Sequence, residues 1–182
     1  MSLYEELNII EEKRDVFQAI ELIANNDTDD VYVYLRILFL LQDFLLYGKY
    51  TNDEHDELAS RTKELYNTAK NRFAQNLSFK FFSALMISIA ENYFENIQIE
   101  EVEKLLKTAV ESEPDNLLFV WGLNAIPNQL AEDNSRKKYH LSEGVLNDNN
   151  IIDGLKELGL LGEYTLGMIK ATYQSTKMFN AV

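Results

Sequence analysis

The residues best suited to chemistry in this chain form one run: Asp53, Glu54, His55, Asp56 and Glu57. Carboxylates and imidazoles bind metals and transfer protons in many proteins. Consecutive residues of a helix, however, point in different directions around its axis, so these side chains cannot converge on one ion or substrate atom. The helix dipole also favours acidic residues in a first turn. We therefore predict no metal site here, and we regard the four acidic residues as candidate contacts with a partner.

Catalytic motifs are scarce. Serine–lysine pairs of the form S-x-x-K occur at Ser60 with Lys63 and at Ser135 with Lys138. The serine acyl enzymes that use this motif also carry S-D-N and K-T-G elements, which this sequence lacks. The sequence has no cysteine, no glycine-rich phosphate loop, no G-x-S-x-G and no H-E-x-x-H motif. We therefore predict a protein that is not an enzyme and that needs no cofactor or metal.

The charge of the chain restricts its partners. Its 30 acidic and 17 basic residues give a formal net charge of −13 at pH 7. Nucleic acid and anionic membranes attract basic surfaces, so we predict that neither is a ligand. A basic or amphipathic segment of another protein is compatible with this charge, because opposite fields raise the rate of encounter. An acidic surface that serves only solubility is the alternative.

Length and hydropathy favour one cytoplasmic domain over residues 1–182. A chain of 182 residues is long enough to bury a substantial core without disulfides. The acidic N-terminus does not resemble a signal peptide. The most apolar run, residues 31–47, contains Arg36, Gln42 and Asp43, so it is better explained as a buried central helix than as a membrane span.

Hydrophobic spacing predicts seven to nine helices and no strand. The expected helices cover residues 2–25, 31–47, 53–75, 79–94, 99–111, 117–126, 128–141, 151–158 and 163–177. Residues 142–150 are expected to form a loop. Capping boxes at Ser2 with Glu5 and at Thr51 with Glu54 mark two of the helix starts. Gly159 marks the end of the short helix at 151–158.

The segment from Ser83 to Asn116 has the length and pattern of one helix–turn–helix repeat. Large apolar, small and aromatic residues alternate in it at helical spacing, and an acidic-proline-aspartate-asparagine sequence ends it. The positions that carry the pattern are Met86, Ile89, Ala90, Tyr93, Val102, Leu106, Ala109 and the sequence Glu113-Pro114-Asp115-Asn116. This segment resembles a tetratricopeptide repeat.

The resemblance implies an antiparallel helix pair in a protein-binding scaffold. A degenerate copy lies upstream around Gly48, whereas the downstream match ends at Pro127. We therefore expect an all-α fold, an irregular stack of antiparallel helix hairpins, arranged either as a superhelix similar to that of tetratricopeptide repeats or as an orthogonal bundle.

The functional prediction is a non-catalytic scaffold, monomeric or homodimeric, with an acidic surface that binds a basic or amphipathic protein segment. A bacterial toxin-immunity protein, a secretion-type chaperone and an adaptor all fit this description. We add two aromatic residues, Phe79 and Tyr93, to the candidate contacts, because an aromatic face can be exposed for a partner. The alternative is a helical enzyme or small-ligand-binding protein with a pocket between helices.

Overall fold

The computed structural model describes residues 1–94, 99–126 and 135–177. Within these ranges the regular structure consists of ten α-helices and one short 3-10 helix, Glu91–Tyr93, with no strand. The α-helices are α1 (Leu3–Lys13), α2 (Val16–Asn25), α3 (Val31–Tyr47), α4 (Asn52–Arg72), α5 (Leu77–Ile89), α6 (Ile99–Ser112), α7 (Leu117–Ala125), α8 (Ser135–Asn147), α9 (Asn149–Lys156) and α10 (Gly159–Lys177). The all-α prediction is confirmed.

The predicted count of seven to nine helices is too low, because the first expected helix is two helices. Arg14 adopts a left-handed conformation with φ of 53°, and its N–H group bonds back to the carbonyl of Glu11 at 3.1 Å. Asp15 then caps α2 by accepting a hydrogen bond from the backbone of Gln18 at 3.0 Å. The break occurs without glycine or proline, so the sequence contains no strong stop signal at this position.

The predicted loop at 142–150 is also wrong. The helix that we expected at 128–141 is seen from Ser135 onwards and continues to Asn147, while its expected start lies outside the described residues. Asp148 begins α9 by accepting hydrogen bonds from the backbone of Asn150 at 3.0 Å and Ile151 at 3.2 Å. Gly144 lies inside α8 without ending it, although glycine has a low helix propensity.

Helix α3 is the central element of the fold. Twelve of its seventeen residues are buried, which confirms the prediction of a buried apolar helix. One side, with Ile37 and Leu41, packs with α1 and α2, and the other side, with Leu38, packs into a larger cluster that extends to α10. Burial of each leucine or isoleucine contributes about 1.5–3 kcal/mol, so this helix organises much of the core.

No helix in the described ranges is long and apolar enough to cross a membrane.

Helices α5 and α6, which contain the repeat-like segment, pack against each other as expected for a helix pair. Met86, Leu106 and Ala109 are wholly buried. Helix α5 ends at Ile89, so Ala90 lies just beyond the helix with φ of −154° and Tyr93 belongs to the 3-10 helix. The assignment of this pair to the tetratricopeptide family stays a prediction.

The burial of Ala109 gives a test of the packing between these helices. Replacing Ala109 by leucine should lower the free energy of unfolding by about 1–3 kcal/mol, because three extra carbons do not fit a filled core. Ala171 is exposed on α10 and is the control. Its replacement by leucine should change stability by less than about 0.5 kcal/mol. Urea denaturation measures both values, and equal effects would contradict this packing.

Gly159 gives a second test, at the junction of α9 and α10. Its φ is +55°, and a Cβ atom added there would overlap the carboxylate of Glu11 and lie 2.7 Å from Nη2 of Arg36. Gly159→Ala should therefore cost about 2 kcal/mol of unfolding free energy or more, through backbone strain and displacement of these side chains.

The matched control is Gly167→Ala, within α10. A Cβ atom at Gly167 meets no atom within 4 Å. This variant should be neutral or up to about 1 kcal/mol more stable, because alanine is the better helix former. If thermal unfolding showed the same change for both variants, Gly159 would not be needed at the junction.

Candidate functional site

The N-terminal end of α4 presents the acidic residues singled out in the sequence. Thr51 caps the helix through a complete capping box, as predicted: its N–H donates to Oε2 of Glu54 at 2.7 Å, and its Oγ1 accepts from the Glu54 N–H at 3.3 Å. Asp53, Asp56 and Glu57 are exposed beside it. We call these four carboxylates, Asp53, Glu54, Asp56 and Glu57, the acidic turn.

Hydrogen bonds from the backbone N–H and the hydroxyl of Thr51 lower the pKa of Glu54 below its ordinary value. The unfolded chain lacks these bonds, so this group stabilises the fold above its unfolded pKa, and that stabilisation is lost as the pH falls through the lower folded pKa. The Glu54 carboxylate is therefore ionised throughout the neutral range.

Aromatic rings lie directly beside the acidic turn. The ring centroids of Tyr50 and His55 are 5.3 Å apart, those of His55 and Tyr93 are 6.1 Å apart, and those of Phe44 and Tyr50 are 6.0 Å apart. The hydroxyl of Tyr93 donates to the carbonyl of Leu45 at 3.3 Å. The pKa of Tyr93 is raised, mainly by burial and to a smaller extent by the nearby phenol of Tyr50. We call Phe44, Tyr50, His55 and Tyr93 the aromatic row.

Five of the six predicted contact residues meet at this end of the molecule. Tyr93 reaches the acidic turn through His55, although it lies about forty residues away along the chain. Phe79 does not join them. It is only 3% exposed and packs between Tyr66 and Phe73, with centroids 6.1 and 6.2 Å away, so its side chain is part of the core rather than of an accessible face.

The acidic turn does not form a metal-binding arrangement. Nδ1 of His55 lies 3.1 Å from Oδ1 of Asp56 on the exposed surface. No group of three histidine or acidic side chains in the described part of the chain converges in a way that could hold an ion. The chemistry available here is charge attraction and contact with ring faces.

A second site lies at the other half of α3, where a cavity of about 530 Å³ opens between helices. Residues from α1, α3, α5, α7, α9 and the turn before α10 line it. Its apolar walls are formed by Phe82, Leu118, Phe119, Ile151, Leu155 and Leu158. Tyr4, Asn8, Tyr32 and Arg36 add polar atoms from α1 and α3. We call this the central cavity.

A buried ion pair lies beside the central cavity. The side chains of Arg36 and Glu11 are only 1% and 5% exposed. Nε and Nη2 of Arg36 each donate to one carboxylate oxygen of Glu11 at 2.8 Å, and Nη2 also donates to Oδ1 of Asn8 at 2.6 Å. The backbone N–H of Leu160 donates to Glu11 at 3.3 Å, so the pair connects α1, α3 and the start of α10.

This arrangement suits binding better than proton transfer. Three donors hold the Glu11 carboxylate in place, so both of its oxygens are already hydrogen-bonded. A general base needs a lone pair that can reach a substrate proton. The cavity therefore combines apolar walls with a fixed, charge-compensated polar group.

Sequence reasoning missed the central cavity and the ion pair, although one signal was present. Arg36 interrupts an otherwise apolar helix, and a buried arginine needs an acidic partner. Several carboxylates could have supplied that partner, since Glu5, Glu6, Glu11 and Glu12 all lie on the first helix. Only the packing of α1 on α3 selects Glu11.

Comparisons of the chain with protein-family models, with curated proteins and with solved structures find no significant match.

The buried pair gives a test of this geometry. Arg36→Met should lower the free energy of unfolding by about 3–5 kcal/mol, because it leaves the Glu11 carboxylate buried without its counter-charge. Urea denaturation at neutral pH measures the loss.

The double variant Arg36→Met with Glu11→Leu is the control. It removes both charges and keeps similar volumes, so it should recover at least half of the loss caused by the single variant. If Arg36→Met alone lowered the free energy of unfolding by less than about 1 kcal/mol, the result would be inconsistent with a buried, uncompensated Glu11 carboxylate.

Proposed function

We propose that this protein is a non-catalytic, cytoplasmic scaffold that binds a basic or amphipathic segment of another protein. The observation that supports this most directly is the acidic turn beside the aromatic row. None of the four carboxylates forms an ion pair with a lysine or arginine in the described ranges, and the one charged-pair contact of Asp56 is with His55. These charges are therefore available to a cationic partner.

The neighbouring rings complete a surface for an amphipathic segment. Aromatic faces attract lysine and arginine side chains and also accept apolar contacts. Tyr47, the last residue of α3, is 73% exposed. A segment with alternating cationic and apolar residues would match both halves of this face.

The helix pair α5 and α6 supports a scaffold role. Its repeat-like pattern is typical of units that display binding surfaces rather than catalytic groups. Within this proposal the protein is a toxin-immunity protein, a secretion-type chaperone or an adaptor, acting as a monomer or homodimer on a protein partner and not on nucleic acid or a membrane.

A synthetic amphipathic peptide of leucine and lysine tests the proposal. We expect NMR amide shifts at the acidic turn and Tyr93, and at least about a tenfold loss of affinity between about 0.05 M and 0.5 M salt, because ions screen exposed charges. A leucine–glutamate peptide of the same length should not bind. Shifts that avoid α4, or affinity that ignores salt, would contradict the proposal.

Charge-matched variants separate the acidic turn from the overall charge. The triple variant Asp53→Asn, Asp56→Asn and Glu57→Gln should weaken peptide binding at least about tenfold. The control Glu12→Gln, Glu21→Gln and Glu163→Gln changes three exposed acidic residues elsewhere and makes the same change in net charge. Equal weakening by both variants would mean that only total charge matters.

The alternative function is a protein that binds a small ligand between its helices, and the central cavity is the observation that favours it. Its volume of about 530 Å³ falls within the range of about 300–1,000 Å³ that is typical of ligand pockets. A helical enzyme is the less favoured form of this alternative, because the buried carboxylate beside the cavity is already engaged by three donors.

A further inference from the structure

We propose that the central cavity binds a compact, uncharged ligand with an apolar body and one carbonyl group, and that this carbonyl accepts a hydrogen bond from Nη1 of Arg36. The site does not depend on the acidic turn. Gly48 and the residues of the acidic turn follow the C-terminal end of α3, whereas Tyr32 and Arg36 belong to its first half.

The unused hydrogen-bond donors of Arg36 carry the proposal. A guanidinium has five N–H groups. Nε uses one on Glu11, and Nη2 uses two on Glu11 and Asn8. Nη1 donates to no acceptor in the part of the chain that the structure describes, although the side chain is 99% buried.

The buried atoms without partners indicate whether Nη1 of Arg36 has accessible surface. The buried side-chain atoms that lack both a partner and any exposed surface are Oε1 of Gln42 and Oγ of Ser83 among the described residues. Nη1 is not one of them, so some of its surface is accessible. Arg36 lines the central cavity, so the cavity is the open space next to its guanidinium group. A buried donor left without an acceptor costs free energy, and a ligand oxygen would remove this cost.

The shape of the cavity favours a compact molecule. Residues from six segments of the chain line it, and only 1% of the Arg36 side chain among them is exposed. A ligand must therefore enter the cavity to bring its carbonyl oxygen to Arg36. Phe82, Phe119 and Leu155 supply apolar walls for the body of that group.

Charge favours an uncharged acceptor over a carboxylate. Glu11 already compensates Arg36 with two oxygens at 2.8 Å, so a second carboxylate at Nη1 would lie close to a like charge. Glu157 lines the cavity as another negative group. Asp30 accepts a hydrogen bond at 2.6 Å from the hydroxyl of Tyr4, which also lines the cavity. A carbonyl gains the hydrogen bond without this repulsion.

Three probes of similar shape test the chemistry: 1-naphthaleneacetamide, 1-naphthaleneacetate and 1-methylnaphthalene. Titration of the full chain is followed by NMR at the Arg36 side-chain N–H groups and the amides of Phe82 and Leu155. We expect saturable binding of the amide with a dissociation constant of about 1 mM or tighter. The acetate and the hydrocarbon should each bind at least about tenfold more weakly.

A blocking variant that keeps Arg36 locates the binding. Gly154 lines the cavity on α9, and a Cβ atom added there meets no atom within 4 Å. Gly154→Trp should fill the mouth of the cavity without displacing the core and should weaken amide binding at least about tenfold. Gly167→Trp is the matched control on α10, equally open but outside the cavity lining, and should bind as the unmodified protein does.

The possible outcomes decide the proposal. Saturable binding of the amide to the unmodified protein, abolished in the variant Gly154→Trp, supports the proposal. Absence of saturable binding by all three probes, or binding that Gly154→Trp leaves intact, overturns the site. Acetate that binds as tightly as the amide overturns the choice of an uncharged acceptor. The triple variant of the acidic turn should leave amide binding unchanged, so this site and the proposed function can fail separately.

Discussion

The ion pair between Arg36 and Glu11 is the contact on which the assembly of the first, third and last helices depends. Arg36 lies on the most buried helix of the fold, so its charge requires a partner brought in by tertiary packing. Glu11 meets that need from α1 and also accepts a hydrogen bond from Leu160. Gly159 allows the backbone to approach the pair closely, because a side chain there would occupy the position of the carboxylate.

The same pair gives the central cavity its character. Arginine–carboxylate pairs with two parallel hydrogen bonds are geometrically rigid. Here that rigidity holds Arg36, a residue that lines the cavity, through two of its three guanidinium nitrogens. The Arg36 side chain is therefore fixed before any ligand enters, and apolar residues from α5, α7, α9 and the turn before α10 line the cavity around it.

The acidic turn and the aromatic row have a different physical basis. A capping box orders the first turn of α4 and holds the Glu54 carboxylate, while the carboxylates of the acidic turn remain exposed. The aromatic row assembles from α3, the segment after it, α4 and the 3-10 helix, so its rings meet only after these elements pack. One half of this face is encoded locally, and the other half is a product of the fold.

The sequence alone determined the helical class, both predicted capping boxes, the burial of α3 and the end of α9 before Gly159. These features depend on residues a few positions apart, where side-chain spacing and backbone preference act directly. Tertiary structure alone decided that Glu11 pairs with Arg36, that Tyr93 joins the acidic turn, that Phe79 enters the core and that the central cavity exists. Those outcomes depend on how helices far apart in the chain pack together, and many packings are compatible with the same local pattern.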